Sequence, residues 1–172
     1  MMPPEVQIIA SMIKHLDARS IVEIGVQEGS LAKALLEEFE SIENYLGVDV
    51  LFGAPLPLKR QANQTPRQAG ILVSDNRFST FTSRLGSLDP ALAKLLQTMP
   101  ADFFVIDGDH SENAVRSDTF LAKSVLRRSA DRPKGIVWHD YGRIPEVTAA
   151  LEWEQWNGIV HVLGTTLCFE SF

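Results

Sequence analysis

Five polar clusters in this 172-residue chain carry side chains able to do chemistry: Glu23 with Gly25, Asp49, Gly86-Ser87, Asp107-Gly108-Asp109-His110 and His139-Asp140-Tyr141. Carboxylates and imidazoles move protons near neutral pH or hold divalent ions. If Asp107, Asp109 and Asp140 converge, each pair repels by roughly 1 kcal/mol at 4 Å in water, and about 4 kcal/mol at an effective dielectric of 20. A proton on one carboxyl, a divalent cation or a positively charged ligand offsets such repulsion. Oxygen donors that leave room for water suit Mg²⁺ or Ca²⁺. Asp109 has a competing use as cap of a helix beginning near Glu112. Gly25 and Gly29 bracket a turn in which the backbone can pass close to a ligand. Asp49 follows Gly25 by 24 residues, at the end of the apolar run Tyr45-Leu-Gly-Val48. An acid there can accept hydrogen bonds from both hydroxyls of a ribose.

These groups need elements that bring them to one edge. Ile21-Val-Glu-Ile24 reads as a buried strand, and Leu31, Leu35 and Phe39 give the following helix one apolar face from about Ser30. A first helix precedes them, with Val6, Ile9, Ile13 and Leu16 on one side and Pro3-Pro4 at its start. The second strand spans about Asn44 to Asp49, and the third is expected over Ser79 to Leu85, where Thr-Phe-Thr alternates. Pro55, Pro57 and Pro66 interrupt 51–77, which is expected to be an insertion or lid, with Gly70–Val73 as strand or helix. Pro100 stops a helix built on Ala91, Leu92, Leu95 and Leu96. The run Asp102-Phe-Phe-Val-Ile-Asp107 suits a strand covered on both faces. A helix over Glu112–Arg128, a strand over Gly135–Trp138 and a helix from Pro145 to near Trp156 complete the repeat. Ile159–Leu163 and Thr165–Phe169, separated by Gly164, predict an antiparallel hairpin. The expected fold is therefore α/β: a Rossmann-like, doubly wound, mostly parallel sheet with a C-terminal antiparallel hairpin, in one domain over 1–172. In such a sheet ligands bind beyond the carboxyl ends of the strands, where all five polar clusters fall.

Composition narrows the function classes. The chain is 45% hydrophobic and 22% charged, enough for a full core, and no apolar run approaches the roughly 20 residues of a bilayer span. A net charge of −6 argues against nucleic-acid and anionic-membrane partners. Arg127-Arg128 and the Arg132/Lys134 pair read as solvated residues flanking a turn. A single cysteine, Cys168, and an N-terminus without a basic, then apolar, leader fit a cytoplasmic protein. His15 and His161 stand apart from the clusters, and Trp138, Trp153 and Trp156 have core spacing, whereas Tyr141 is the aromatic expected in the pocket. The hairpin edge would permit a homodimer.

Taken together, Val-Glu-Ile-Gly-x-x-x-Gly-Ser, the acid after strand two, Ile106-Asp-Gly-Asp-His110 and Trp138-His-Asp-Tyr141 resemble class I S-adenosylmethionine-dependent methyltransferases. The branch with Ile-Asp-Gly-x-His after strand four, which includes macrocin and sugar O-methyltransferases and cephalosporin-hydroxylase-like relatives, is the most similar. The resemblance implies cofactor contacts from Glu23, Gly25, Gly29, Ser30, Asp49, Gly86, Ser87 and Asp107. It also implies Mg²⁺ at Asp107 and Asp140, although His139 stands where metal-using relatives have a second acid, and histidine suits Mg²⁺ poorly. The implied reaction is in-line methyl transfer to a hydroxyl of a small-molecule acceptor, with His139, Asp107 and His110 as candidates to take the proton. Two other readings fit less of the pattern. One is an accessory protein that binds the cofactor without turnover. The other is an NAD-binding oxidoreductase, against which the missing middle glycine of G-x-G-x-x-G counts.

Overall fold

A computed structural model describes residues 3–50, 68–128, 132–153 and 158–172 of the protein. Helix α1 (Pro4–Leu16) is entered through Pro3, buries Ile9, Ala10, Ile13 and Leu16, and stops at Asp17 in a left-handed turn. Strand β1 (Ser20–Ile24) is buried along its whole length, as its apolar run requires. Helix α2 (Ser30–Glu38) and strands β2 (Asn44–Val50) and β3 (Phe78–Ser83) follow. Gly86–Leu88 then form a single 3-10 turn ahead of α3 (Pro90–Thr98), whose first turn Asp89 caps through the Ala91 N–H. Strand β4 (Phe103–Ile106), α4 (Glu112–Leu126), β5 (Gly135–Trp138), α5 (Pro145–Trp153), β6 (Val160–His161) and β7 (Cys168–Ser171) complete the described chain.

Among the described residues the strands form one sheet in the order β3-β2-β1-β4-β5-β7-β6. The first five pair in parallel, while β7 runs antiparallel to both β5 and β6. Alternation along each strand feeds two apolar layers. Val22, Ile24, Phe104, Ile106 and Trp138 meet α3, α4 and α5 on one face. Ile21, Tyr45, Phe103, Val105 and Val137 meet α1 and α2 on the other. Burying a side chain such as Phe103 or Phe104 contributes about 1.5–3 kcal/mol. The direction of winding reverses between β1 and β4, which places a crevice beyond their carboxyl ends. The register sets Ile24 beside both Val48 and Ile106, and Ile106 beside Trp138. The next residues of four strands, Gly25, Asp49, Asp107 and His139, therefore emerge at one level.

The expected α/β fold with a C-terminal hairpin is observed, with shifted boundaries. The third strand is Phe78–Ser83, not Ser79–Leu85, because Arg84-Leu85 already bend toward the 3-10 turn. Gly70–Val73 is neither strand nor helix but successive turns that bond to Gln27 and Glu28. Residues 51–67 of the expected insertion, and the helix end expected near Trp156, lie outside the described residues. The hairpin strands are shorter than their apolar runs because Thr165 and Thr166 are drawn into the turn. The Thr165 hydroxyl donates to Val162 O and accepts from the Leu167 N–H. Lys134, expected in solvent, is buried where its backbone pairs with Phe172. No described helix is long and apolar enough to cross a membrane.

Candidate active site

A cavity of about 460 Å³ opens beyond the carboxyl ends of β1, β2 and β4. Gly25, Asp49, Gly86, Ser87 and Asp107 all line it, so residues up to 82 positions apart in the sequence share one wall. Gly25 adopts φ +94, and a Cβ there would collide with the Asp107 carbonyl oxygen and the Gly108 Cα. Only glycine lets β1 turn this close to β4. The turn is tied to β2 by the Gly25 N–H, which donates to Val48 O at 2.8 Å.

Asp49 is held before any ligand arrives. Its carboxylate accepts from the Gln27 N–H at 2.7 Å and from its neighbour Val50's N–H at 2.7 Å. So anchored, Asp49 lines the cavity. Asp109 is drawn into the turn before α4, accepting from the Ser111 N–H at 2.7 Å.

Glu23, Gly29 and Ser30 are not on the cavity wall. Glu23 lies under the crevice on the α1/α2 side of the sheet, 4% exposed, and accepts a 2.8 Å bond from the Tyr45 hydroxyl. Burial pushes its carboxyl up to about 8, against the lowering effect of the Tyr45 bond, so it carries its proton at neutral pH. A Cβ on Gly29 would press on Val73 Cγ2 at 2.7 Å, which makes it a packing glycine beside the 69–72 turns. Ser30 is exposed at the first position of α2.

At the Asp107 end of the cavity stands a compact charged cluster. His110 Nε2 is 3.4 Å from Asp107 Oδ1 and 3.3 Å from Asp140 Oδ2. His139 Nδ1 is 3.5 Å from Asp107 Oδ1 and 3.4 Å from Asp140 Oδ1. Donor atoms of Asp107, His139 and Asp140 all lie within 4.8 Å of one another. Asp140 is 6% exposed and adopts φ 65; its Oδ1 makes no hydrogen bond among the described residues, although the exposed Arg143 guanidinium lies 3.6 Å from it. His139 Nδ1 is likewise buried without a hydrogen bond among the described residues. The contact with Asp107 raises His139 to about 9 in spite of burial. The two histidines hold Asp107 below its ordinary value although burial opposes them. Asp107, His110, His139 and Asp140 are thus brought together as the sequence suggests, and the imidazoles themselves offset the acids.

Three participants were missed in the sequence. Glu5 of α1 reaches His139 Nε2 at 3.0 Å from 134 residues away, and no local pattern announces it. Thr166 holds Glu5 from the β6–β7 turn. Asp118 lies on the cavity wall, 2% exposed, with Oδ1 lacking a partner among the described residues. Burial pushes Asp118 up to about 7, against a bond from Ser87. Its signal was present: an acid inside the apolar stripe that runs from Val115 to Ala122. Tyr141, expected in the pocket, instead lies tilted against the His161 ring at 5.0 Å and donates to Glu152 Oε1. Trp138 is core, its Nε1 donating to Thr119 Oγ1.

Strand order, antiparallel last strands and the crevice at the winding reversal define the class I methyltransferase fold. A family model described as a methyltransferase domain matches residues 22–141, and the chain belongs to that family. No curated protein sequence matches it. Among solved structures, the O-methyltransferase from Bacillus cereus in complex with SAH is 14% identical, with TM-score 0.65 over 99% of this chain and 81% of that one. TomG from Streptomyces achromogenes, an O-methyltransferase involved in tomaymycin synthesis and in complex with SAM, is 11% identical, with TM-score 0.59 over 100% of this chain and 80% of its own. At these identities the likeness is one of fold.

Proposed function

We propose that the protein is an S-adenosylmethionine-dependent O-methyltransferase acting on a hydroxyl of a small-molecule acceptor, within the branch marked by Ile106-Asp-Gly-Asp-His110, and that a divalent ion assists it. One observation carries this reading: a single cavity joins the Gly25 bend, Asp49, Gly86-Ser87 and Asp107, with the carboxylate–imidazole cluster at its Asp107 end. The cavity fits a nucleoside because an anchored acid stands at the β2 end, where ribose hydroxyls would donate to it. When bound, the cofactor supplies a methyl group on a positively charged sulfur. Asp107 places negative charge on that side of the cavity, and the Gly25 turn admits the ligand's approach to the backbone.

The cluster also fits a metal, since Asp140 Oδ1 and His139 Nδ1, both buried and without a hydrogen bond among the described residues, converge with Asp107. Asp107, Asp140 and His139 would hold the ion, which lowers the pKa of a bound hydroxyl and orients it. Alignment of acceptor and donor is the chain's main contribution, worth about 7–11 kcal/mol in favourable systems. Asp107 and His110 are the candidates to take the acceptor's proton when the ion is bound; His139 is a candidate only where it is not a ligand, because Glu5 engages its Nε2. At neutral pH His139 must first give up its own, because its neighbours hold it near 9.

Calorimetry with S-adenosylhomocysteine and with NADH tests the cofactor, the expected result being binding of the first alone. A methyl-transfer assay over alcohols and sugars, in chelator and with divalent ions, tests the reaction. Cofactor binding without turnover on any acceptor would favour an accessory role, and equal rates in chelator would remove the metal.

A further inference from the structure

The cluster contains one carboxylate that touches neither the cavity nor its acids. Glu5 lies in the first turn of α1, and its two oxygens have different partners. Oε1 accepts from the Thr166 N–H at 2.8 Å and from the Thr166 hydroxyl at 2.9 Å. Oε2 stands 3.0 Å from His139 Nε2. Three segments meet here: the start of α1, the end of β5 and the turn between β6 and β7. Thr166 clamps one oxygen with two donors, so the other is aimed at the imidazole. A carboxylate can only accept, so Nε2 must carry the hydrogen. In the neutral ring the lone pair then resides on Nδ1. Nδ1 is buried, has no hydrogen-bond partner among the described residues, and faces Asp107 and the nine-tenths-buried Asp140.

We propose that Glu5 is a positioning residue: clamped by Thr166, it fixes the ring and tautomer of His139 so that Nδ1 enters the Asp107–Asp140 cluster as a nitrogen donor, and the site thereby selects a borderline divalent ion of the Co²⁺, Fe²⁺ or Zn²⁺ kind over Mg²⁺. The inference rests on the reading of Asp107 and Asp140 as ion-binding carboxylates and deepens it. The chemistry follows from the donor set. All-oxygen sites suit Mg²⁺, whereas one or two imidazoles beside two carboxylates shift preference along the series toward later transition ions. His110 Nε2 also stands close to both aspartates. A carboxylate on the far nitrogen of a ligating histidine orients the ring and raises its basicity, and losing such a partner typically costs 10–100-fold in metal affinity.

The test is calorimetric titration of the full chain with Co²⁺ and with Mg²⁺, in the wild type and in Glu5→Gln. Glutamine keeps the size but offers one oxygen, which the two Thr166 donors claim, so its NH₂ faces Nε2 and forces the hydrogen onto Nδ1. The wild type should bind Co²⁺ at least about tenfold more tightly than Mg²⁺. Glu5→Gln should lower Co²⁺ affinity by about 10–100-fold while leaving Mg²⁺ affinity nearly unchanged. A merely structural role would weaken both ions together and leave their ratio intact, which overturns the proposal. Thr166→Val, which loosens the clamp from its other side, should move the ratio the same way by less, and supplies the answer if Glu5→Gln does not fold. Wild type that binds Co²⁺ and Mg²⁺ equally overturns the nitrogen-donor assignment and leaves the ion site standing. Wild type that binds neither removes the ion site as well, while S-adenosylhomocysteine titration of the same samples judges the cofactor reading separately.

Discussion

Asp49 meets the cavity already anchored by two backbone N–H groups, so its orientation costs a ligand nothing at the moment of binding. On the proposed reading, removing the carboxylate strips a charged acceptor from the end of the cavity that takes the ribose. Asp49→Ala should weaken S-adenosylhomocysteine binding by about 1–3 kcal/mol in calorimetry, and unchanged affinity would take Asp49 out of the site. Gly25→Ala belongs to the same scale with a larger effect, since its methyl group would overlap the Asp107 carbonyl. It should abolish cofactor binding or folding, and a variant that binds normally would show that β1 and β4 are not so closely apposed. The acids at the Asp107 end illustrate a solution not weighed from composition. Proton, metal and cationic ligand were the expected counter-charges, whereas two imidazoles already stand beside Asp107 and Asp140. The spacing of histidines and aspartates was readable, but not which of them would face each other.

At the scale of elements, the end of α2 depends on a residue that follows the 69–72 turns. The Arg77 guanidinium donates to Leu36 O and Phe39 O at 2.7 Å each and to Ile42 O at 3.1 Å, while Asp75 holds it in place. It therefore satisfies carbonyls that a helix end leaves without intrahelical partners. Arg77→Ala should destabilise the fold by about 2–3 kcal/mol in urea unfolding, and a loss below about 0.5 kcal/mol would show that water replaces it fully. Neither Arg77 nor Glu5 was legible in the sequence, because a side chain crossing to another element leaves no periodicity. The buried strands were legible for the opposite reason. Ile21–Ile24 and Phe103–Ile106 are covered on both faces, so every position is apolar or satisfied by a partner. Strand β3 is partly exposed along its length, and its weak pattern put its expected end two residues late. The strand ends carried most of the cavity wall in plain view, whereas Asp118 looks from sequence like any polar residue of a helix.

For the molecule as a whole, three groups set the response to pH between about 4 and 9. Glu23 rises from 4.5 to about 8 and Asp118 from 3.8 to about 7, both through burial, and contact with Asp107 lifts His139 from 6.5 to about 9. In each the folded chain holds its proton at a pH where the unfolded chain has lost it. Stability therefore falls as pH climbs from about 4 to 9, through the windows between unfolded and folded values. Glu5 and Asp107 are lowered, and Asp75 falls to about 2 through its Arg77 bonds, so their contributions vanish only as pH drops below about 4. Thermal unfolding of the ion-free protein should show Tm highest near pH 5 and lower by at least about 3 °C at pH 9. A Tm that climbs over that range would contradict the buried protons, and Glu23→Gln should flatten the decline between pH 5 and 8. The Glu5–Thr166 clamp has a consequence of a different kind, because it spans 161 positions of the polypeptide. The cavity draws its walls from residues 24–118, so a ribosome has produced all of them before residue 166 exists. On the proposed reading, loosening that clamp would disable selection of the ion while sparing recognition of the methyl donor, so the two competences are separable.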